Sequence, residues 1–111
     1  MQKEIRWAYK FSCDQSLDEI CSVFNAGTSW QWQIRENYLF GYYLNCRPAD
    51  GVRLRVNEFP QGLVLNVEKG FAALLEIDER SPLGRAKVDT VFKELLGRID
   101  AINTIEIEPY D

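Results

Sequence analysis

The sequence predicts one α+β domain over residues 1–111, with an antiparallel sheet of about six or seven strands and two helices on one sheet face. Several short segments alternate apolar and polar residues, which is typical of strands with one buried side. Two longer segments carry apolar residues at helical spacing, which predicts amphipathic helices. Most strands are separated only by short turns, so neighbouring strands must run antiparallel. The predicted order is β-α-β-β-β-(β)-α-β, which is ferredoxin-like in its general logic.

The first two elements are predicted by clear local patterns. Residues 4–11 alternate with period two, and the aromatic residues all fall on one side, which predicts a strand with one buried face. Ser16 and Glu19 form a capping box, in which each side chain bonds to the backbone N–H of the other residue. A short helix is expected to follow, with Gly27 as the left-handed residue that ends it.

The middle of the chain is predicted to form a meander of strands. Cys46 to Gly51 has the composition of a hairpin loop, with a proline, an aspartate and a glycine. Residues 71–78 favour a helix by propensity, but their length and position favour a strand, which is our prediction. The other predicted strands of this region cover residues 30–35, 40–47, 52–57 and 63–68.

The second helix is predicted to begin at Ser81, with Pro82 at its first helical position, where the missing N–H costs nothing. A long apolar stripe follows, and Asn103 is expected to end the helix. A last strand with Ile105 and Ile107 on its buried side would place Glu106 and Glu108 on the open sheet face. The stripe consists of Val88, Val91, Phe92, Leu95, Leu96, Ile99 and Ile102.

Composition limits the classes of partner and the compartment. The net charge is −4, and residues 71–111 hold nine acidic and five basic residues. A net acidic chain lacks the field that attracts nucleic acid or an anionic membrane, so we expect neither as a partner. No apolar run approaches the roughly 20 residues of a membrane-spanning helix, and the N-terminal residues do not resemble a signal peptide. The three scattered cysteines fit a reducing compartment, which predicts a cytoplasmic protein.

The residue types present give little support for catalysis. The chain has no histidine, which excludes imidazole-based triads and histidine metal sites. Cys21 and Cys46 fall at inward positions, and Cys13, the one thiol expected at the surface, has no base near it in the sequence. The acidic pairs are better explained as solvated side chains. We therefore expect a non-enzymatic protein without a cofactor or a metal.

One positive feature stands out in this acidic chain. Arg53 and Arg55 share one face of a predicted strand, and Arg47 lies on the neighbouring strand with the same parity. Tyr43 lies among them. Arginine binds carboxylates and phosphates through paired hydrogen bonds, and both residue types are enriched at binding hot spots. These four residues form the predicted binding site, although a solvated face balanced by nearby glutamates is the alternative.

Three hypotheses follow from these residues. The first is a protein-binding module, inhibitor-like or immunity-like, that uses the open sheet face to meet an unidentified protein partner, as a small acidic domain masks a basic partner. The second is a small-ligand sensor or carrier with a pocket walled by Trp30, Trp32 and Tyr42. The third is an enzyme that uses carboxylate or tyrosine and arginine chemistry. A homodimer through an edge strand is compatible with all three.

Overall fold

The computed structural model describes residues 4–38, 41–58 and 69–110, which form six strands and two helices. No helix in these ranges is long and apolar enough to cross a membrane. The elements in chain order are β1 (Glu4–Cys13), α1 (Leu17–Gly27), β2 (Trp32–Asn37), β3 (Gly41–Cys46), β4 (Val52–Glu58), β5 (Lys69–Asp78), α2 (Arg85–Arg98) and β6 (Ile102–Ile107).

The six strands form one antiparallel sheet in the order β2-β3-β4-β5-β1-β6. The predicted α+β class, with an antiparallel sheet and two helices, is therefore confirmed. The strand predicted for residues 71–78 is confirmed as part of β5, which pairs along its whole length with β1. The strand predicted for residues 63–68 lies outside the described residues.

The core lies between one face of the sheet and the two helices. Alternate residues of β1 and β5 face the helices, with Trp7 opposite Leu75 and Phe11 opposite Phe71. Phe92 of α2 is fully buried at the centre, and the ring centroids of Tyr9, Phe24 and Trp32 all lie within 6.4 Å of its own. A domain of this length can bury enough apolar surface in this way to be stable without disulfides.

The predicted capping box of α1 is confirmed, but the role predicted for Gly27 is wrong. Ser16 Oγ accepts from Glu19 N at 3.2 Å, and Glu19 Oε1 accepts from Ser16 N at 3.1 Å. Gly27 is the last helical residue, and the chain leaves the helix through an extended Thr28. The Arg98 side chain of α2 lies close to this glycine, because a Cβ there would be 2.7 Å from Cδ of Arg98, which would have to shift.

The second helix begins later and ends earlier than its sequence signals predict. Ser81 caps a local turn instead, since its Oγ accepts from the backbone N–H of Leu83 at 3.0 Å. The helix then begins after Gly84, so Pro82 is not its first residue. It ends at Arg98, and the chain turns through Asp100, which has a φ of 54°. Asn103 therefore does not end this helix.

The last strand presents its isoleucines to the face opposite the helices, contrary to the sequence prediction. Ile105 pairs with Lys10 and Ile107 pairs with Ala8, whereas Glu106 pairs with Tyr9 on the helix side. The register shifts between Lys10 and Ser12, and Asn103 has a φ of 56°. This irregularity in β6 determines which of its residues face the helices. An alternating sequence pattern alone does not show where such an irregularity lies.

Strands β2 and β6 are the two edges of the sheet. At the start of β2, the Asn25 side chain of α1 bonds to both backbone groups of Trp32. Asn25 Oδ1 accepts from Trp32 N at 2.7 Å, and Asn25 Nδ2 donates to Trp32 O at 3.0 Å. One amide side chain thus takes the place of a neighbouring strand at this position.

Candidate partner-binding face

The structure brings the four predicted binding residues to one face of the sheet. Tyr43 lies on β3, Arg47 follows it, and Arg53 and Arg55 lie on β4. Arg55 pairs across the strands with Asn45, which has the parity of Tyr43. The residues between them are buried toward the helices, so these side chains point the opposite way. We call the side opposite the helices the outer face.

Arg53 belongs to an ion network on the outer face, where β4, β5 and β1 lie side by side. Its Nη2 lies 3.2 Å from Oε2 of Glu76, and Nε of Arg6 lies 3.3 Å from the same oxygen. A hydrogen bond with Glu76 raises the pKa of the Glu4 carboxyl at the edge of this network. Two arginines and two glutamates thus meet in this network, and their charges balance.

The C-terminal segment, residues 108–110 after β6, crosses the outer face and covers its centre. Arg6 Nη2 donates to the carbonyl oxygen of Tyr110 at 2.9 Å, and the Tyr110 hydroxyl donates to Asn57 Oδ1 at 3.1 Å. The Arg55 guanidinium lies 5.6 Å from the centre of the Tyr110 ring. Burial raises the pKa of Tyr110 to about 12, although Arg55 opposes that shift.

Apolar residues of the outer face are buried next to the residues that Tyr110 contacts. Ala8, Ala72 and Leu74 have the outward parity of their strands, yet each is at most 2% exposed. Tyr110 was not predicted to be part of this face. The sequence did contain a signal for this cover, namely the apolar residues at outward positions of β1 and β5. Apolar side chains on an open sheet face are usually shielded from water by another part of the chain. The predicted open face is therefore open only beside the C-terminal segment.

We expect Tyr110→Ala to lower the free energy of unfolding by about 1–2 kcal/mol, since it removes one hydrogen bond and half-buried aromatic area. Tyr110→Phe keeps the ring against Arg55 and loses only the bond to Asn57, so its loss should be smaller. Urea denaturation of the three proteins measures both values. Equal stability of the alanine variant and the natural protein would show that Tyr110 does not pack on the outer face in solution.

Beside the covered centre, β2 and β3 form a shallow groove of about 590 Å³ on the outer face. We call it the β2–β3 groove. Arg35 pairs with Tyr43 at one end, and Gln33 pairs with Asn45 in the middle. Arg47 follows β3 at the other end. The groove is lined by Gln31, Gln33, Arg35, Tyr43, Asn45 and Arg47.

Arg47 also borders a second concave surface of about 510 Å³ where the β3–β4 loop meets the end of β5. Acidic and basic side chains alternate there. Arg80 donates to the Asp78 carboxylate from Nη2 at 3.1 Å and from its backbone N–H at 2.9 Å. These hydrogen bonds lower the pKa of Asp78. The carboxylate is thus already bound within the chain, and this surface has no excess of one charge.

The aromatic residues proposed as pocket walls do not meet in one cavity. Trp32 is 3% exposed, and its ring centroid lies 5.0 Å from that of Phe24 in the core. Its indole N–H has no hydrogen-bond partner among the described residues. Tyr42 is 60% exposed and borders a separate groove with Leu17 and Ile34. The candidate location for a small-ligand site is therefore the groove beside Tyr42.

A half-buried acidic group, Asp89 of α2, lies on the helix side of the sheet. Its Oδ1 accepts from Trp7 Nε1 at 2.9 Å and from the Tyr9 hydroxyl, and Oδ2 lies 3.2 Å from Lys93 Nζ. Burial opposes ionisation, but these bonds outweigh it and lower the pKa of Asp89. Burial and the adjacent carboxylate raise the pKa of Tyr9. The group therefore anchors α2 to β1 in its ionised form.

The three thiols are all at least partly buried. Cys13 is 3% exposed, because β1 continues to this residue, so the prediction that it lies at the surface is wrong. Burial raises the pKa of Cys46 to about 12 and also raises the pKa of Cys21. These two thiols stay protonated at neutral pH and are poor nucleophiles.

The sequence was compared with models of known protein families and with curated proteins. No family model and no curated protein matches it.

Proposed function

We propose that this protein is a small non-enzymatic protein-binding module, and that its partner docks on the outer face of the sheet beside the C-terminal segment. The observation that carries the proposal is the concentration of arginine and tyrosine on this face of a chain whose net charge is −4. Arg47 and Arg53 are exposed there, and Tyr43 is half-buried between strands. Such a mixture is typical of interface centres.

The role that fits best is that of an inhibitor-like or immunity-like protein, which acts by covering a surface of its partner. The net negative charge of the whole chain favours a basic partner. The outer face has the opposite sign, because Arg35, Arg47 and Arg55 add positive charge beside the balanced ion network of Arg53. The contact patch on the partner is therefore expected to be acidic.

The test compares two charge reversals in the complex recovered from the protein's own cells. Native mass spectrometry of the natural protein identifies the partner, and it separates a hetero-complex from a homodimer. Arg47→Glu and Arg53→Glu should each weaken the complex about tenfold, because like charges then meet across the interface. Lys87→Glu makes the same change on the exposed side of α2 and is the matched control.

Two results would contradict the proposal. Unchanged affinity of both arginine variants would remove the outer face as the docking surface. Equal weakening by Lys87→Glu would show that overall charge, and not this face, determines the affinity. Arg47 and Lys87 are exposed, whereas Arg53 also pairs with Glu76, so circular dichroism and urea denaturation must show that Arg53→Glu is folded before its affinity is compared.

A further inference from the structure

We infer that the β2–β3 groove takes an extended acidic segment of the partner, with two carboxylates four residues apart. This inference rests on the proposed function and names the chemistry of the partner. Among the described residues that line the groove, the charged ones are Arg35 and Arg47, and both are exposed. A groove with this charge favours a ligand that carries negative charge at both ends.

The spacing follows from the register of the two strands. Arg35 lies opposite Tyr43, and Arg47 lies four residues farther along β3 than Tyr43. At about 3.4 Å per residue, the two arginine positions are about 14 Å apart along the strands. In an extended peptide, side chains four residues apart have about the same separation and point to the same side. Two carboxylates at that spacing can each reach one guanidinium.

The middle of the groove is suited to a peptide backbone. Gln33 and Asn45 are directly opposite each other, and a side-chain amide both donates and accepts hydrogen bonds. Arg35 Nη2 donates to Gln33 Oε1 at 2.9 Å, which leaves the amide nitrogen of Gln33 for a carbonyl oxygen of the ligand. Tyr43 adds a half-buried ring and hydroxyl at one end. These groups recognise an extended chain without requiring particular side chains between the two acids.

The experiment measures binding of fluorescein-labelled nonapeptides to the full chain by fluorescence anisotropy. The first peptide has two glutamates four residues apart as its only charged residues. The second has them adjacent, and the third has two lysines at the original positions. We expect the first peptide to bind at least threefold more tightly than the second, and the lysine peptide not to bind. Affinity for the first peptide should fall as salt is raised.

Arg35→Gln and Arg47→Gln should each weaken binding of the first peptide about three- to tenfold, which is the effect of losing one charge-assisted hydrogen bond at a partly screened site. Lys87→Gln, which removes one positive charge from α2, should leave it unchanged. Equal affinity for all three peptides, or an equal effect of all three variants, would overturn the inference. Tighter binding of a nine-nucleotide single-stranded DNA through the same arginines would also overturn it.

The inference and the proposed function fail in different ways. If no acidic peptide binds but Arg47→Glu still weakens the cellular complex, the outer face binds a partner of different chemistry and only the inference is wrong. If the peptide binds but the complex is unaffected by both reversals, the groove recognises acids and the proposed docking surface is wrong.

Discussion

Phe92→Ala is expected to lower the free energy of unfolding by about 3–5 kcal/mol, the usual cost of truncating a buried phenylalanine. Phe92 is fully buried, and its ring packs against those of Tyr9, Phe24 and Trp32. It therefore joins α2 to α1 and to two strands that are far apart in the sheet. A cavity left there cannot collapse without moving one of these elements, so the loss should lie near the top of that range.

Urea denaturation measures this effect, and Tyr42→Ala provides the matched control. Tyr42 is an aromatic residue of similar size that is 60% exposed, so its truncation should change stability by no more than about 0.5 kcal/mol. Since small domains are typically stable by only about 5–15 kcal/mol, this loss removes a large share of the total stability. Similar losses in the two variants would contradict the central position of Phe92 in the core.

The second large effect is expected from Asp89→Ala, which should lower the free energy of unfolding by about 2–4 kcal/mol. Trp7 and Tyr9 are 2% and 5% exposed, and both donate to Oδ1 of Asp89. Removal of the carboxylate leaves an indole N–H and a phenol hydroxyl without their acceptor, and each such loss costs about 1–3 kcal/mol. Thermal or urea unfolding measures the difference.

Asp89→Asn separates the charge from the hydrogen bonds, because the amide oxygen still accepts from Trp7 and Tyr9. Its loss at pH 7 should be smaller than that of the alanine variant. The pKa of Asp89 is lowered in the folded protein, so its charge stabilises the fold above the ordinary pKa of about 4. That contribution is lost as the pH falls through the lowered folded value. The natural protein and Asp89→Asn should thus converge in stability at acid pH, and a constant difference would contradict the assignment.

The period of the side-chain pattern was enough to predict most of the strands and both helices. Trp7 and Phe11 face the core, and the capping box of Ser16 and Glu19 starts α1 as predicted. These features depend on contacts close in sequence, which a pattern records directly. The strand β5 was predicted from its length and from its position after a turn at Lys69 and Gly70, which outweighed the helical propensity of its alanines and leucines. The strand is confirmed, but Lys69 and Gly70 belong to it and do not form that turn.

The errors arose where distant contacts decide the structure. Gly27 lies against the Arg98 side chain of α2, and the sequence near Gly27 does not contain that contact. Ile105 faces outward because β6 pairs with β1 in an irregular register. Ser81 has the sequence signal of a helix N-cap, but its hydroxyl is used by a turn that precedes α2.

The binding site was predicted in its location but not in its limits. Alternation placed Tyr43, Arg47, Arg53 and Arg55 on one face, and the structure has them there. The cover over Arg55 depends on Tyr110, which lies more than fifty residues away in sequence. As a result, the accessible part of the face shifts toward the groove between β2 and β3, which includes residues that the arginine pattern alone did not select.

The bond pattern of Asn25 has a consequence for the solubility of the protein. An edge strand offers its unpaired backbone groups to strands of other molecules, which is the first step of fibril growth. At Trp32 both of these groups already bond to Asn25. In an antiparallel edge strand the outward groups occur at alternate residues, so only Ile34 and Glu36 of β2 offer such groups farther along. Asn25 thus occupies one of the three outward-facing residues of β2 and shortens the edge with which a strand of another molecule could pair.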